Sequence, residues 1–160
     1  GSGCILISLL VERKKFKGVG IDLSKNAINI AKNNAKMQQL RNRIRFINTD
    51  VDKYFAGKYD IVVSNPPYIK KCKISSLIED VKCYEPLLAL DGGPDGFLSI
   101  LKVIKKSSKL LKKNGKLFLE IDNSQVIQTK KMLLKYNFFT NNVFKDLGGH
   151  NRCIVATKIN

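Results

Sequence analysis

Asn65-Pro66-Pro67-Tyr68 is the stretch of this chain whose residue types and spacing best suit chemistry. It follows Tyr59-Asp60-Ile61-Val62-Val63-Ser64, a short β-branched run that predicts a buried parallel strand. Two prolines stop that strand at its C-terminal end and hold the next residues extended. An Asn side-chain carbonyl, a Pro66 carbonyl with no Pro67 N–H beside it, and an aromatic face then lie within four residues. Such a set can grip a planar –NH2 group through both its hydrogens, so it points to chemistry on an amide or amino nitrogen. Taken alone, Asn-Pro-Pro-Tyr is also ordinary turn punctuation. Its place after a strand favours a site, because open α/β sheets bind ligands at the C-terminal ends of their strands.

Two carboxylates occupy comparable places upstream. Asp22 ends the run Lys17–Asp22, about twenty residues beyond Gly1-Ser2-Gly3. There it can accept from both vicinal hydroxyls of a ribose, or stand as a helix N-terminal acid against a dipole. Asp50 follows the run Arg43–Asn48 and can accept from an adenine amino group with Val51 against the ring, or serve as a plain turn residue. Gly1-Ser2-Gly3 leads straight into a helical pattern with no strand before it. Glycine-rich turns commonly join a strand to a helix whose N–H groups face a ligand. The chain is therefore expected to begin inside a cofactor loop, the competing reading being an appended remnant. Neither aspartate is specific by itself, but the ordered set of strand-end residues is.

The elements that must position these residues alternate between helix and strand signals, the pattern of a parallel α/β sheet. Ile5, Leu6, Leu9 and Leu10 predict a first helical stripe, and Ala27, Ile28, Ala31 and Ala35 a second, capped by Ser24. An irregular stretch from Ile69 to Pro94 ends in Asp91-Gly92-Gly93-Pro94-Asp95-Gly96, and so long a loop in a compact domain tends to be functional. Helical spacing from Phe97 to Leu111 leads into a strand at Lys116–Ile121, then a helix near Gln125–Tyr136. Two runs, Phe138–Lys145 and Arg152–Lys158, predict a closing antiparallel hairpin at the sheet edge.

With 160 residues the chain is expected to form one domain with a real core. No apolar run is long enough for a membrane span, so no membrane association is expected. Cys4, Cys72, Cys83 and Cys153 are scattered without a C-x-x-C pair, which suits a reducing cytoplasm and indicates neither a zinc site nor a disulfide frame. His150 is the only histidine, which argues against metal or histidine-based acid–base chemistry. The net charge of +16 leaves two readings open: solvated helix faces, with Lys102, Lys105, Lys106, Lys109, Lys112 and Lys113 spread over helix surfaces, or a basic footprint for RNA or a ribosome-bound partner.

The order and spacing of these motifs resemble the class I S-adenosylmethionine-dependent methyltransferases, and Asn65-Pro66-Pro67-Tyr68 resembles their amino-methylating branch. The run from Tyr84-Glu85-Pro86 to Asp95-Gly96 resembles the release-factor glutamine methyltransferases in particular. Leu119-Glu120-Ile121 with Gln125, and Lys145-Asp146-Leu147 leading to Asn151-Arg152, are similar to that family too. One departure is Asp122, where the family usually has glycine. The resemblance implies a Rossmann-like sheet, mostly parallel with an antiparallel C-terminal hairpin, here without its first strand or the family's small N-terminal helical domain. It implies that Gly1, Ser2, Gly3, Asp22, Asp50 and Val51 line an S-adenosyl-L-methionine site, with Asn65 also reaching it. Asn65, Pro66, Pro67 and Tyr68 would hold the glutamine amide of the Gly-Gly-Gln motif of a class 1 release factor. A monomeric enzyme is expected. The competing enzyme is a nucleic-acid amino-methyltransferase taking a flipped base, and a non-catalytic binding module is the third reading.

Overall fold

The computed structural model describes residues 1–76 and 86–160. They fall into two compact units, Gly1–Tyr54 and Phe55–Asn160. Cys83, Tyr84 and Glu85, singled out above, lie outside the described residues.

The first unit runs α1 (Cys4–Glu12), β1 (Gly18–Asp22), α2 (Lys25–Met37), β2 (Ile44–Asn48) and a 3-10 turn at Val51–Lys53. β1 and β2 pair in parallel, with Gly18 opposite Ile44 and Asp22 opposite Asn48. Ser24 caps α2 as expected, its Oγ accepting from the Ala27 N–H at 3.2 Å, and the helix buries Ile28, Ala31 and Ala35. α1 departs from the expected stripe. It buries Ile7 and Leu10, whereas Ile5 and Leu9 are 48% and 40% exposed. α1 is apolar on nearly every side, so spacing alone cannot choose the inward face; contact with Ala35, Leu40, Ile44 and Phe46 does. Arg43 closes the end of the helix, its Nη1 donating to the carbonyls of Leu10 at 2.8 Å and Lys14 at 3.1 Å. The Leu10 carbonyl lies in the last turn, where carbonyls lack a partner within the helix, and a cation there also suits the dipole.

The second unit contains β3 (Tyr59–Ser64), short helices α3 (Lys71–Ile74) and α4 (Leu87–Leu90), α5 (Leu98–Leu110), β4 (Leu111–Glu120), a 3-10 turn at Asn123–Gln125, α6 (Val126–Lys135), β5 (Phe138–Lys145) and β6 (Asn151–Lys158). Its sheet order is β3-β4-β6-β5. β3 and β4 are parallel, while β6 runs antiparallel to both β4 and β5. The closing hairpin forms as expected, with β6 inside the sheet and β5 at the edge. Its core gathers Ile100 and Ile104 of α5, Leu117 and Leu119 of β4, Leu133 of α6, Phe138 of β5 and Ile154 of β6, each 1% exposed or less. A fully buried side chain of this kind contributes about 1.5–3 kcal/mol. The core of the first unit is smaller, with Ile7, Leu10, Ala35 and Leu40 buried at its centre.

Two expectations need correction. β3 is not a buried strand: Ile61 and Val63 are 42% and 40% exposed, and Val62 on the alternate face packs against the core. Among the described residues β3 has only β4 beside it, and β1 only β2, so each keeps one unpaired edge. The lysines are not all solvated helix residues either. Lys106 is buried, its ammonium 3.5 Å from the centre of the Phe55 ring, and Lys112 and Lys113 lie in β4. A cation over an aromatic face is attracted by the ring's quadrupole, which offsets part of its desolvation. No helix among the described residues is long and apolar enough to cross a membrane.

Candidate functional site

In the first unit the residues singled out above lie at the end of β1, the end of β2 and the start of α1. Gly3 precedes α1 and no side chain caps that helix; the Ile7 N–H bonds the Gly3 carbonyl at 2.9 Å. The Asn34 side chain donates to the Ser2 carbonyl at 3.0 Å and anchors the loop to α2. Asp22 ends β1, and its carboxylate is 25% exposed. One oxygen accepts from the Ser24 N–H at 2.7 Å, and the other from the Gly1 amino group. The Asn48 side chain reaches across from β2 to the carbonyls of Asp22 at 2.9 Å and Leu23 at 2.7 Å, fixing the strand end. Asp50 takes a cap position, its Oδ1 accepting from the Asp52 N–H at 2.8 Å, and Val51 beside it is half-buried. Asp22 thus places two carboxylate acceptors at the end of β1, and the first amide groups of α1 have no side-chain cap.

In the second unit Asn65-Pro66-Pro67-Tyr68 follows β3 directly. Asn65 is exposed, Pro66 is buried, and Pro67 and Tyr68 are half-buried. Among the described residues no group takes a hydrogen bond from or gives one to the Asn65 side chain, whereas Tyr68 is tied at both ends. Its hydroxyl donates to Glu120 Oε1 at 3.4 Å, a long bond. Burial, and secondarily the negative charge of Glu120, hold the Tyr68 pKa above its usual value, with Arg152 opposing. Tyr68 is therefore a neutral donor at physiological pH. Its carbonyl accepts from Gln125 Nε2 at 3.2 Å, and the same nitrogen donates to the Gly96 carbonyl at 2.9 Å.

The segment after Pro86 is not idle loop. Ile69 bridges to Asp91 in parallel, the Ile69 N–H bonds the Leu90 carbonyl at 3.1 Å, and the Gly92 N–H bonds the Ile69 carbonyl at 2.9 Å. Asp91 Oδ1 accepts from the Gly93 N–H at 2.8 Å, which folds the glycine turn back on itself. Backbones approach so closely that a Cβ on Gly92 would lie 2.8 Å from the Tyr68 backbone. Asp91–Gly96 is thus a brace behind the Asn-Pro-Pro-Tyr segment.

The residues at the ends of β4 and β6 complete that brace. Asp122, the departure from glycine noted above, is an N-cap that accepts from the Ser124 N–H at 2.9 Å. The Ser124 hydrogen bonds hold its carboxyl below the usual range against partial desolvation. Arg152 donates through Nε and Nη2 to Asp146 Oδ2 at 3.1 and 3.0 Å. The His150 N–H bonds the other Asp146 oxygen at 3.0 Å, and this contact above all holds that carboxyl low. Residue-type reasoning did not foresee Gln125 as a partner of Tyr68. Asp122-Asn123-Ser124-Gln125 has the spacing of a capping box, and that local signal accounts for only part of what Gln125 does.

Comparison with known proteins shows what the chain is similar to. The methyltransferase small domain model matches residues 1–81. The "Bifunctional methyltransferase" of Rickettsia prowazekii is 38% identical over 162 aligned residues, covering 100% of this chain and 31% of the relative. The "Release factor glutamine methyltransferase" of Fusobacterium nucleatum is 38% identical over 162 aligned residues, covering 99% of this chain and 45% of the relative. The chain thus spans about a third to a half of the length of these curated relatives. Among solved structures, a Pyrococcus furiosus methyltransferase superposes with a TM-score of 0.72 at 15% identity, covering 98% of this chain and 70% of that one. TrmN from Thermus thermophilus gives 0.67 at 18% identity, covering 99% and 42%. These structural likenesses establish a Rossmann-like α/β fold.

Proposed function

Because the chain belongs to the methyltransferase small domain family, we propose that it methylates the side-chain amide nitrogen of a glutamine, in the Gly-Gly-Gln motif of a class 1 peptide chain release factor. S-adenosyl-L-methionine would be the donor, supplying an electrophilic methyl group on a sulfonium. Asp22 would accept from the ribose hydroxyls, Asp50 and Val51 would meet the adenine, and Gly1, Ser2 and Gly3 would present backbone amides to the amino-acid end. Names borne by relatives such as the Fusobacterium protein support the acceptor.

The observation that carries this reading is the contrast at the end of β3: an exposed Asn65 side chain with no partner among the described residues, followed by Tyr68 fixed at its hydroxyl and its carbonyl. An amide nitrogen is a poor nucleophile, since its lone pair is delocalised into the carbonyl. Hydrogen bonds from its two N–H groups to Asn65 Oδ1 and the Pro66 carbonyl would orient it and favour positive charge building there. In-line placement then supplies much of the rate. The proton is lost readily from the methylated product, so no dedicated base is required.

Charge distribution favours a second reading, with RNA as acceptor or neighbour. α5 and α6 contain no acidic residue, and Lys105, Lys109, Lys130, Lys131 and Lys135 on them are exposed. Transfer of labelled methyl from S-adenosylmethionine to release factor, rRNA and DNA, offered in parallel, separates the two. Label on the Gly-Gly-Gln glutamine supports the first reading; label confined to a nucleic acid overturns it.

A further inference from the structure

We infer that Gln125 is a positioning residue for Asn65-Pro66-Pro67-Tyr68: its side-chain amide fixes the Tyr68 carbonyl and, through two rigid prolines, the orientation of Asn65. This rests on the reading of Asn65 as the group that holds the acceptor nitrogen.

Gln125 is 4% exposed, and its amide is fully used. Oε1 accepts from the Asp122 N–H at 3.0 Å, and Nε2 donates to Tyr68 O at 3.2 Å and Gly96 O at 2.9 Å. One amide therefore joins the segment after β3, the end of the glycine turn and the turn after β4. The blander role, closing the capping box, needs only Oε1, and a glutamate would serve it as well. A carboxylate has no hydrogen to give to the two carbonyls, and an ammonium has no acceptor for Asp122. Tyr68 and Gly96 are thus what call for an amide at this position.

The link to Asn65 comes from proline stereochemistry. Pro66 and Pro67 have φ locked near −65°, so the chain between Asn65 and the Tyr68 peptide has little slack. With those two φ angles fixed, a displaced Tyr68 peptide passes its shift along a stiffened segment toward the Pro66 carbonyl and Asn65. Misplacement by about 1 Å can cost on the order of 100-fold in rate.

Two substitutions in the complete protein test the assignment, with turnover, cofactor affinity and melting measured across pH and rates expressed relative to wild type. Gln125→Glu keeps the acceptor for Asp122 and opposes its lone pairs to both carbonyls. Its kcat is expected to fall about 100-fold near pH 8 while the cofactor Kd changes less than about two-fold. The deficit should shrink toward about pH 6, since a buried carboxyl facing two carbonyls has a raised pKa and donates once protonated. Gln125→Met, similar in size and without hydrogen bonds, should lose kcat by a comparable factor with no such recovery. Wild-type kcat in either variant would overturn the assignment, as would a Gln125→Glu deficit flat with pH. Loss of cofactor affinity in step with kcat would reduce Gln125 to a purely structural residue. The assay offers release factor and RNA together. Wild-type transfer to RNA alone would refute the glutamine reading while the same variants still report on Gln125.

Discussion

Replacing Gly96 by alanine adds one methyl group where two backbones and a buried amide meet. Its ideal Cβ lies 2.6 Å from the Tyr68 carbonyl oxygen and 3.0 Å from Gln125 Nε2, and Gly96 has φ of +81°. Two costs can be separated. A left-handed backbone costs an L-residue about 1–2 kcal/mol. The contact forces Tyr68 and Gln125 apart, and a buried carbonyl left without its donor costs about 1–3 kcal/mol more. Gly149 is a built-in control: its φ is also +81°, and nothing lies within 4 Å of its ideal Cβ. Gly149→Ala should therefore lose only the backbone part, and Gly96→Ala about 1–3 kcal/mol beyond it. At roughly 2–4 °C per kcal/mol for a chain of this length, the two melting temperatures should differ by about 2–12 °C. Scanning calorimetry reads this directly, and methyl transfer should fall in Gly96→Ala and stay near wild type in Gly149→Ala. Equal melting temperatures for the two variants would refute the argument that close approach, rather than conformation alone, demands glycine at position 96.

Asn65→Ala should cut methyl transfer by roughly 100-fold and leave the melting temperature nearly unchanged, because the side chain is exposed and makes no hydrogen bond among the described residues; steady-state kinetics beside a melt checks both. Asp22→Ala should weaken S-adenosylmethionine binding by about 1.5–3 kcal/mol per charged hydrogen bond lost, measured by titration calorimetry, without changing which acceptor is methylated. Asp146 is held below the usual carboxyl range by the His150 N–H and by Arg152. A depressed folded pKa stabilises the protein above the unfolded value and ceases to do so as pH falls through the folded one. The advantage of wild type over Asp146→Asn should therefore be complete at neutral pH and shrink below about pH 3.9, as followed by denaturant titrations across pH; a difference that grows on acidification would count against the pairing.

Much of this protein can be read from local pattern because the physics there is local. Alternating helical and strand periods, Ser24 before a helical run, and two prolines after Tyr59–Ser64 each act within a few residues. They announce β1, α2, β2, β3 and the closing hairpin with little reference to the rest of the chain. Asn65, Asp22 and Asp50 at strand ends could be nominated on the same grounds, since a strand's end is a property of the strand.

Partners distant in sequence are another matter. Gln125 meets Tyr68 across 57 positions and Gly96 across 29, and nothing in Asp122-Asn123-Ser124-Gln125 distinguishes a cap from a clamp. The buried face of α1 was equally undetermined. A helix apolar nearly all round has no pattern to orient it, and only contact with Leu40, Ile44 and Phe46 selects Ile7 and Leu10. Lys106 has a lysine's composition and a core residue's burial, and Phe55 gives its ammonium an aromatic face. β3 has the composition of a buried strand, yet its Ile61 and Val63 remain substantially exposed, because burial depends on what packs against a face and not on the face itself. Residue order specified which groups could do chemistry and where strands would present them; tertiary packing decided which of those groups are held still, since only the folded chain brings a donor to a carbonyl dozens of residues away.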